Sequence, residues 1–283
     1  MVNRKKAVFI LLGQSNATGH GIPMAPEDRI ETPLANVFGL HRDQNQSFDI
    51  TQLTWSGYTS CGMNLAETQD HTYSVANCLA ASWQAQINAG AALPDLYIIQ
   101  IAIGAQGVRE GYMWHPDREK QLIPGKLGTV KISLFSFSMH IFSLLKQSLG
   151  DYEIIGLHWR GSENDAYDDP EQVYDMVQPV YLRLLDGWNQ VLGSPPVILH
   201  RIVAHERYTD RDPSGRKLES MHILNRIFEE MTQRYPNVSI FDVRNYPNFI
   251  PDVRGNGIFK EDMVHFTPEV NRWVAQKILE EQL

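Results

Sequence analysis

The sequence predicts a three-layer α/β/α sandwich built on a five-stranded parallel sheet, in one domain spanning residues 1–283. Two observations carry that expectation. Five short runs rich in Ile, Val, Leu or Tyr, each bounded by turn residues, recur at residues 7–12, 96–103, 154–159, 196–203 and 238–243. Near-continuous apolar runs of this length suit parallel strands covered on both faces, because a strand with one wet face alternates instead. Between the runs lie longer segments with apolar residues at three- and four-residue spacing. Strands alternating with helices imply right-handed crossovers into a single parallel sheet.

The first run follows Arg4, Lys5 and Lys6, an order that mimics a secretory leader. Its apolar stretch is about six residues against roughly 7–15 in such a leader, and no Ala-x-Ala pattern follows, so it reads as the first strand. The stretch 21–71 is poor in periodicity and rich in turn residues. Loops that long in a compact domain tend to carry function, and a short extra strand is expected near 49–55. The first long helix is expected at 73–89. The second, at 129–149, places Ile132, Phe135, Met139, Ile141, Leu144 and Leu145 at helical spacing. Helices at 171–192, 217–235 and 268–283 continue the alternation. The last opens with Thr267-Pro268-Glu269: a hydroxyl N-cap, a proline whose missing N–H is harmless at the first helical position, and an acid in the first turn.

Composition narrows the function. With 283 residues, 43% of them hydrophobic, the chain can bury a sizeable core. A net charge of −8 argues against a nucleic-acid or anionic-membrane partner, since both rely on basic patches. No segment approaches the ~20 apolar residues of a membrane span. Cys61 and Cys78 are the two cysteines, too few for a disulfide framework or a multi-cysteine zinc site. The histidines show no HExxH or clustered ligand spacing, and neither a phosphate-binding loop nor a dinucleotide fingerprint is present. The expectation is a cytoplasmic protein without metal or cofactor, its oligomeric state open.

Loops that follow parallel strands share one rim of the sheet, where open α/β folds keep their sites. Gly13-Gln14-Ser15-Asn16 follows the first strand, Gly104-Ala105-Gln106-Gly107 the second, and Gly161-Ser162-Glu163-Asn164-Asp165 the third. Beyond the fifth lies EDMVHFTPEV, with Asp262 three residues before His265. Each piece has a plain reading of its own: a turn serine, a sharp glycine turn, an Asn-Asp turn pair, a histidine beside a helix start. Together they are the residue types of acyl transfer. A serine hydroxyl is a weak nucleophile until an imidazole takes its proton, and a carboxylate fixes the tautomer of that imidazole. The backbone N–H groups of Ser15 and Gly104 and the side-chain amide of Asn164 are the candidate oxyanion donors. Trp114 and Trp159 read as core or as pocket wall, with Tyr112 a further candidate for the wall. Arg160 reads as a binder of acidic substrate or as a surface salt bridge.

The Gly13-Gln14-Ser15-Asn16 block followed by Gly19, with Asp262-x-x-His265 near the far end, resembles the SGNH hydrolase superfamily. More closely it is similar to the sialate O-acetylesterase-like branch, which includes acetylxylan esterases of carbohydrate esterase family six. The resemblance runs in separated blocks from Ala7 to about Ala275. It implies a flavodoxin-like SGNH hydrolase fold, Ser15 as nucleophile, His265 as base and Asp262 as its acid. Ser60-Cys61-Gly62-Met63-Asn64-Leu65-Ala66 resembles the family's GPG-containing helix start, with cysteine where proline is usual. Ile103-Gly104-Ala105-Gln106 resembles its Gly-Gly-Thr turn and keeps the first glycine. Residues 159–166, WRGSENDA, resemble the family's WYQGESDA, retaining Glu163 but not the glutamine before the glycine. Asn164 is then the third oxyanion donor and Glu163 a rival triad acid, while Gln14 and Asn16 brace the serine loop. The reading is a serine esterase removing O-acetyl groups from a carbohydrate or other small ester. A lipase or thioesterase on the same scaffold, or a silent carbohydrate-binding protein, are the alternatives.

Overall fold

The computed structural model describes residues 6–45, 51–118, 122–123, 130–166, 169–203, 213–250, 257–260 and 264–283. The five expected strands are present: β1 (Lys6–Gly13), β4 (Leu96–Ala102), β7 (Tyr152–Arg160), β8 (Val197–His200) and β9 (Val238–Phe241). The sheet, however, has seven strands and is mixed, not five and wholly parallel. β2 (Val37–Leu40) lies parallel to β4, and β3 (Trp55–Gly57) lies antiparallel to β2, giving the order β3-β2-β4-β1-β7-β8-β9. Both extra strands come from the long aperiodic stretch. β2 escapes sequence reading because it is four residues long and contains Gly39. A Cβ there would lie 2.6 Å from Met63 Sδ, so any larger residue would have to push that side chain aside. The extra strand expected near 49–55 falls at Trp55–Gly57; residues 49 and 50 lie outside the described residues.

The helices follow the expectation with one break. α1 (Ser15–Thr18) and α2 (Arg42–Asn45) are single turns, and α3 (Val75–Asn88) is capped by Ser74, whose side chain accepts from Asn77 N. The helix expected at 129–149 begins only at Leu134. Its first residues form β6 (Val130–Lys131), which pairs with β5 (Leu122–Ile123), and the remainder divides into α4 (Leu134–Ser143) and α5 (Leu145–Leu149). α6 (Pro170–Leu192), α7 (Arg216–Arg234) and α8 (Pro268–Glu280) complete the set. Thr267 caps α8 as its hydroxyl predicts, accepting from Val270 N.

The period of two along β1 divides the interior. Val8, Ile10 and Leu12 face one core with Leu184, Trp188 and Phe228 from α6 and α7. Phe9 and Leu11 face the other with Val75 and Trp83 from α3 and Val270 and Val274 from α8. Each such side chain contributes about 1.5–3 kcal/mol by leaving water, so burial of β1 on both faces fixes its register firmly. That register aligns Gly13 with Ala102 on one side and Arg160 on the other. Three strand ends therefore finish level, and the loops after them meet. Among the described residues no helix is long and apolar enough to cross a membrane.

Candidate active site

β1 ends at Gly13 because no other residue fits. Its φ is +143°, and a Cβ would overlap the carbonyl oxygen of Arg160 on the adjacent strand. The chain turns there, Gln14 N–H donates to Arg160 O at 3.0 Å, and Ser15 opens the single turn α1. Ser15 lines a cavity of about 420 Å³ together with Gln14, Gly104, Glu163, Asn164 and His265. The sequence-derived set, Asn16 and Asp262 apart, thus shares one cavity. Asp262 lies outside the described residues.

Asn16 couples the serine loop to the histidine loop. Its Nδ2 donates to Val264 O at 3.1 Å, and its Oδ1 accepts from Phe266 N at 3.3 Å. One side chain thereby holds the residues immediately before and after His265. The same Nδ2 also donates to Glu163 Oε1 at 3.0 Å, and Gln14 Nε2 donates to Glu163 Oε2. Both oxygens of Glu163 receive amides of the nucleophile loop, so this carboxylate braces that loop. Asn164 Nδ2 donates to Gln14 Oε1 at 2.8 Å, closing the ring of amides and carboxylate.

Beneath this ring lies Arg160, which is neither on the surface nor in the cavity lining. It is 2% exposed, donates through Nη1 to Asn16 O at 3.1 Å and to Asn271 Oδ1 at 2.6 Å, and lies over the Phe266 ring at 4.7 Å. Among the described residues it makes no salt bridge, and it lies outside the cavity that a substrate would enter. Burial pushes its guanidinium down to about 10, partly offset by the charge of Glu163. Trp114 and Trp159 are likewise core: both are fully buried, meet edge to face at 4.9 Å, and lie outside the cavity lining. Trp114 Nε1 donates to Gly13 O at 3.0 Å, supporting the serine turn from behind.

The second rim loop is fixed by Asp165. Its carboxylate accepts from the backbone N–H groups of Val108 and Arg109, against Gly107, where a Cβ would overlap it. Burial raises this carboxyl to about 6 despite those donors. Ala105 and Ser162 adopt positive φ of 57° and 91° without being glycine. Such backbone strain is retained where the surroundings over-determine it, and here both residues flank the cavity.

Three cavity residues were not legible as site residues. His20 follows α1, and its ring centroid stands 5.0 Å from that of His265. Lys217 comes from the first turn of α7. Glu67 accepts the backbone N–H of Gly104 at 2.8 Å, occupying the expected second oxyanion donor. Glu67 arrives on the segment that resembles a helix start. That segment is not helical: the helix begins at Val75, and Asn64 instead bridges to the backbone of Ala102 through both N–H and C=O. A side chain that caps a neighbouring strand leaves no periodic trace in sequence. Among the described residues no group of three or more His, Cys, Asp or Glu is placed to hold a metal ion.

By sequence, no protein family and no curated protein matches the chain. Solved structures do. NanS matches at 15% identity over 98% of this chain and 97% of its own, with a TM-score of 0.60. The chain has the fold of NanS. A protein of Arabidopsis thaliana matches at 15% identity over 99% of this chain and 100% of its own, with a TM-score of 0.58.

Proposed function

We propose that the chain is a serine ester hydrolase that removes O-acetyl groups from a carbohydrate. The observation that carries the reading is the Asn16 clamp on both neighbours of His265, which binds the imidazole-bearing loop to the loop of Ser15 at the edge of one cavity. The fold shared with NanS supports it. In this reading Ser15 Oγ attacks the ester carbonyl carbon while His265 accepts its proton. The oxyanion is held by the Ser15 N–H and the Asn164 amide, joined by the Gly104 N–H once Glu67 has left it, each such donor typically contributing about 2.7–4 kcal/mol in the transition state. His265 then protonates the departing sugar oxygen, and afterwards takes a proton from the water that releases acetate. Asp262 orients His265, and Glu163 holds the serine loop through Gln14 and Asn16.

Ser15→Ala tests the assignment. The variant is expected to melt as wild type does and to lose on the order of 10³-fold or more in kcat on a short-chain aryl acetate. A serine-directed organophosphonate should label Ser15 stoichiometrically. Retention of a tenth of the activity in Ser15→Ala would sink the nucleophile assignment, and an unlabelled, inactive wild type would favour a silent carbohydrate-binding protein.

A further inference from the structure

The Gly104 N–H does not stand open. Glu67 Oε2 accepts it at 2.8 Å, and Glu67 lines the same cavity as Ser15 and His265. The contact is built in, because Asn64, three residues earlier, is fastened to Ala102 at 2.9 and 3.1 Å, and Leu65 N donates to Gln100 O at 2.9 Å. Among the described residues the Glu67 carboxylate makes no other hydrogen bond or ion pair. His20 Nδ1 is close by and is hydrogen-bonded to the Gln69 amide. An ester oxygen can use the Gly104 N–H only after the carboxylate has left it.

A carboxylate moved off its donor loses a charge-assisted hydrogen bond, one of the stronger kinds, and requires another donor in the cavity. An ester whose alcohol carries a free hydroxyl beside the acyl oxygen brings that donor with it. A simple aryl ester brings none. We propose that Glu67 is a specificity-determining residue: it selects esters of polyhydroxylated alcohols, whose neighbouring hydroxyl replaces the Gly104 N–H on the carboxylate, over esters that offer no donor. The inference rests on the serine-esterase reading above and narrows its substrate class.

The test compares kcat/KM of wild type, Glu67→Gln and Glu67→Ala on two probes, phenyl acetate and a mono-O-acetylated methyl glucopyranoside with a free adjacent hydroxyl. Glu67→Ala should gain about tenfold on phenyl acetate and lose about tenfold on the sugar ester, moving the preference by roughly 100-fold. Glu67→Gln, whose amide oxygen still accepts from Gly104, should fall between. If Glu67→Ala does not fold, Glu67→Gln carries the comparison. A parallel fall on both probes, or an unchanged preference, overturns the role of Glu67 while Ser15 still labels with the phosphonate. A wild type that turns over neither probe and does not label overturns the esterase reading and this inference with it.

Discussion

Asn16 is the residue on which the site turns. Its amide is the hydrogen-bonded link between the serine and histidine loops, and its loss should leave both loops folded but free to drift. Misplacing a catalytic group by about 1 Å can cost about 10²-fold, so Asn16→Ala is expected to lower kcat on an aryl acetate by about that factor with little change in KM. Steady-state kinetics on the purified variant will show it; a rise in KM alone would move Asn16 to substrate binding. The acid is tested in the same way. If Asp262 orients His265, Asp262→Asn should cost up to about 10⁴-fold in kcat by leaving the wrong tautomer. Glu163→Gln should cost less, because the glutamine oxygen still accepts one of the two amides that Glu163 receives. A nearly intact Asp262→Asn beside a dead Glu163→Gln would exchange their roles. At this scale the sequence brings Ser15 and His265 to the cavity because strand ends and motif spacing place them there. It conceals Glu67, His20 and Lys217, which reach the cavity from segments without strand or motif character. Arg160 misleads for a different reason. A buried guanidinium is rare, and here Asn16 O and Asn271 Oδ1 on Nη1, the Phe266 ring and the charge of Glu163 make it tolerable.

Among the elements, β1 and β7 set the geometry, and Gly13 is where they touch most closely. Gly13→Ala adds a Cβ that must displace the Arg160 carbonyl and holds alanine at a φ of +143°. The expected loss is at least about 3 kcal/mol, enough to lower the denaturation midpoint sharply in urea or on heating. A variant that melts with wild type would show that the strand ends can separate without harm. Five strands and five long helices were legible from apolar runs and spacing. β2 was not, since four residues interrupted by Gly39 carry no pattern, and the early part of the second helix yielded to a β-ribbon that local spacing does not foresee.

The whole molecule carries a pH signature in its buried histidines. His158 Nδ1 and His200 Nε2 share a hydrogen bond of 2.9 Å in the interior, within reach of the Arg160 charge. Burial, with Arg160 adding to it, pushes His158 down to about 3 and His200 well below its ordinary value. Folded, both stay neutral, whereas unfolded chains protonate near pH 6.5. Their stabilisation is therefore complete above pH 6.5 and is lost as pH falls below it, by up to about 2.7 kcal/mol per pH unit for the pair. Asp165, raised to about 6, works the other way: it stabilises as pH falls from about 6 to about 4, by about 1.4 kcal/mol per unit. The histidines win. Melting temperature should fall from pH 7 to pH 5, and more steeply in Asp165→Asn. A flat profile would mean that the pair gains protons without opening the fold.

The clamp between Asn16 and the His265 loop also sets a timetable. Chains emerge from the ribosome N-terminus first, and 248 residues separate Asn16 from the Val264 carbonyl it holds. Until the later segment is made, the Ser15 loop lacks the His265 loop that Asn16 holds, and Arg160 lacks the Asn271 oxygen that accepts its hydrogen bond. On the proposed reading, the segment that bears Ser15 therefore waits for one made 248 residues later before the two can be clamped into a site.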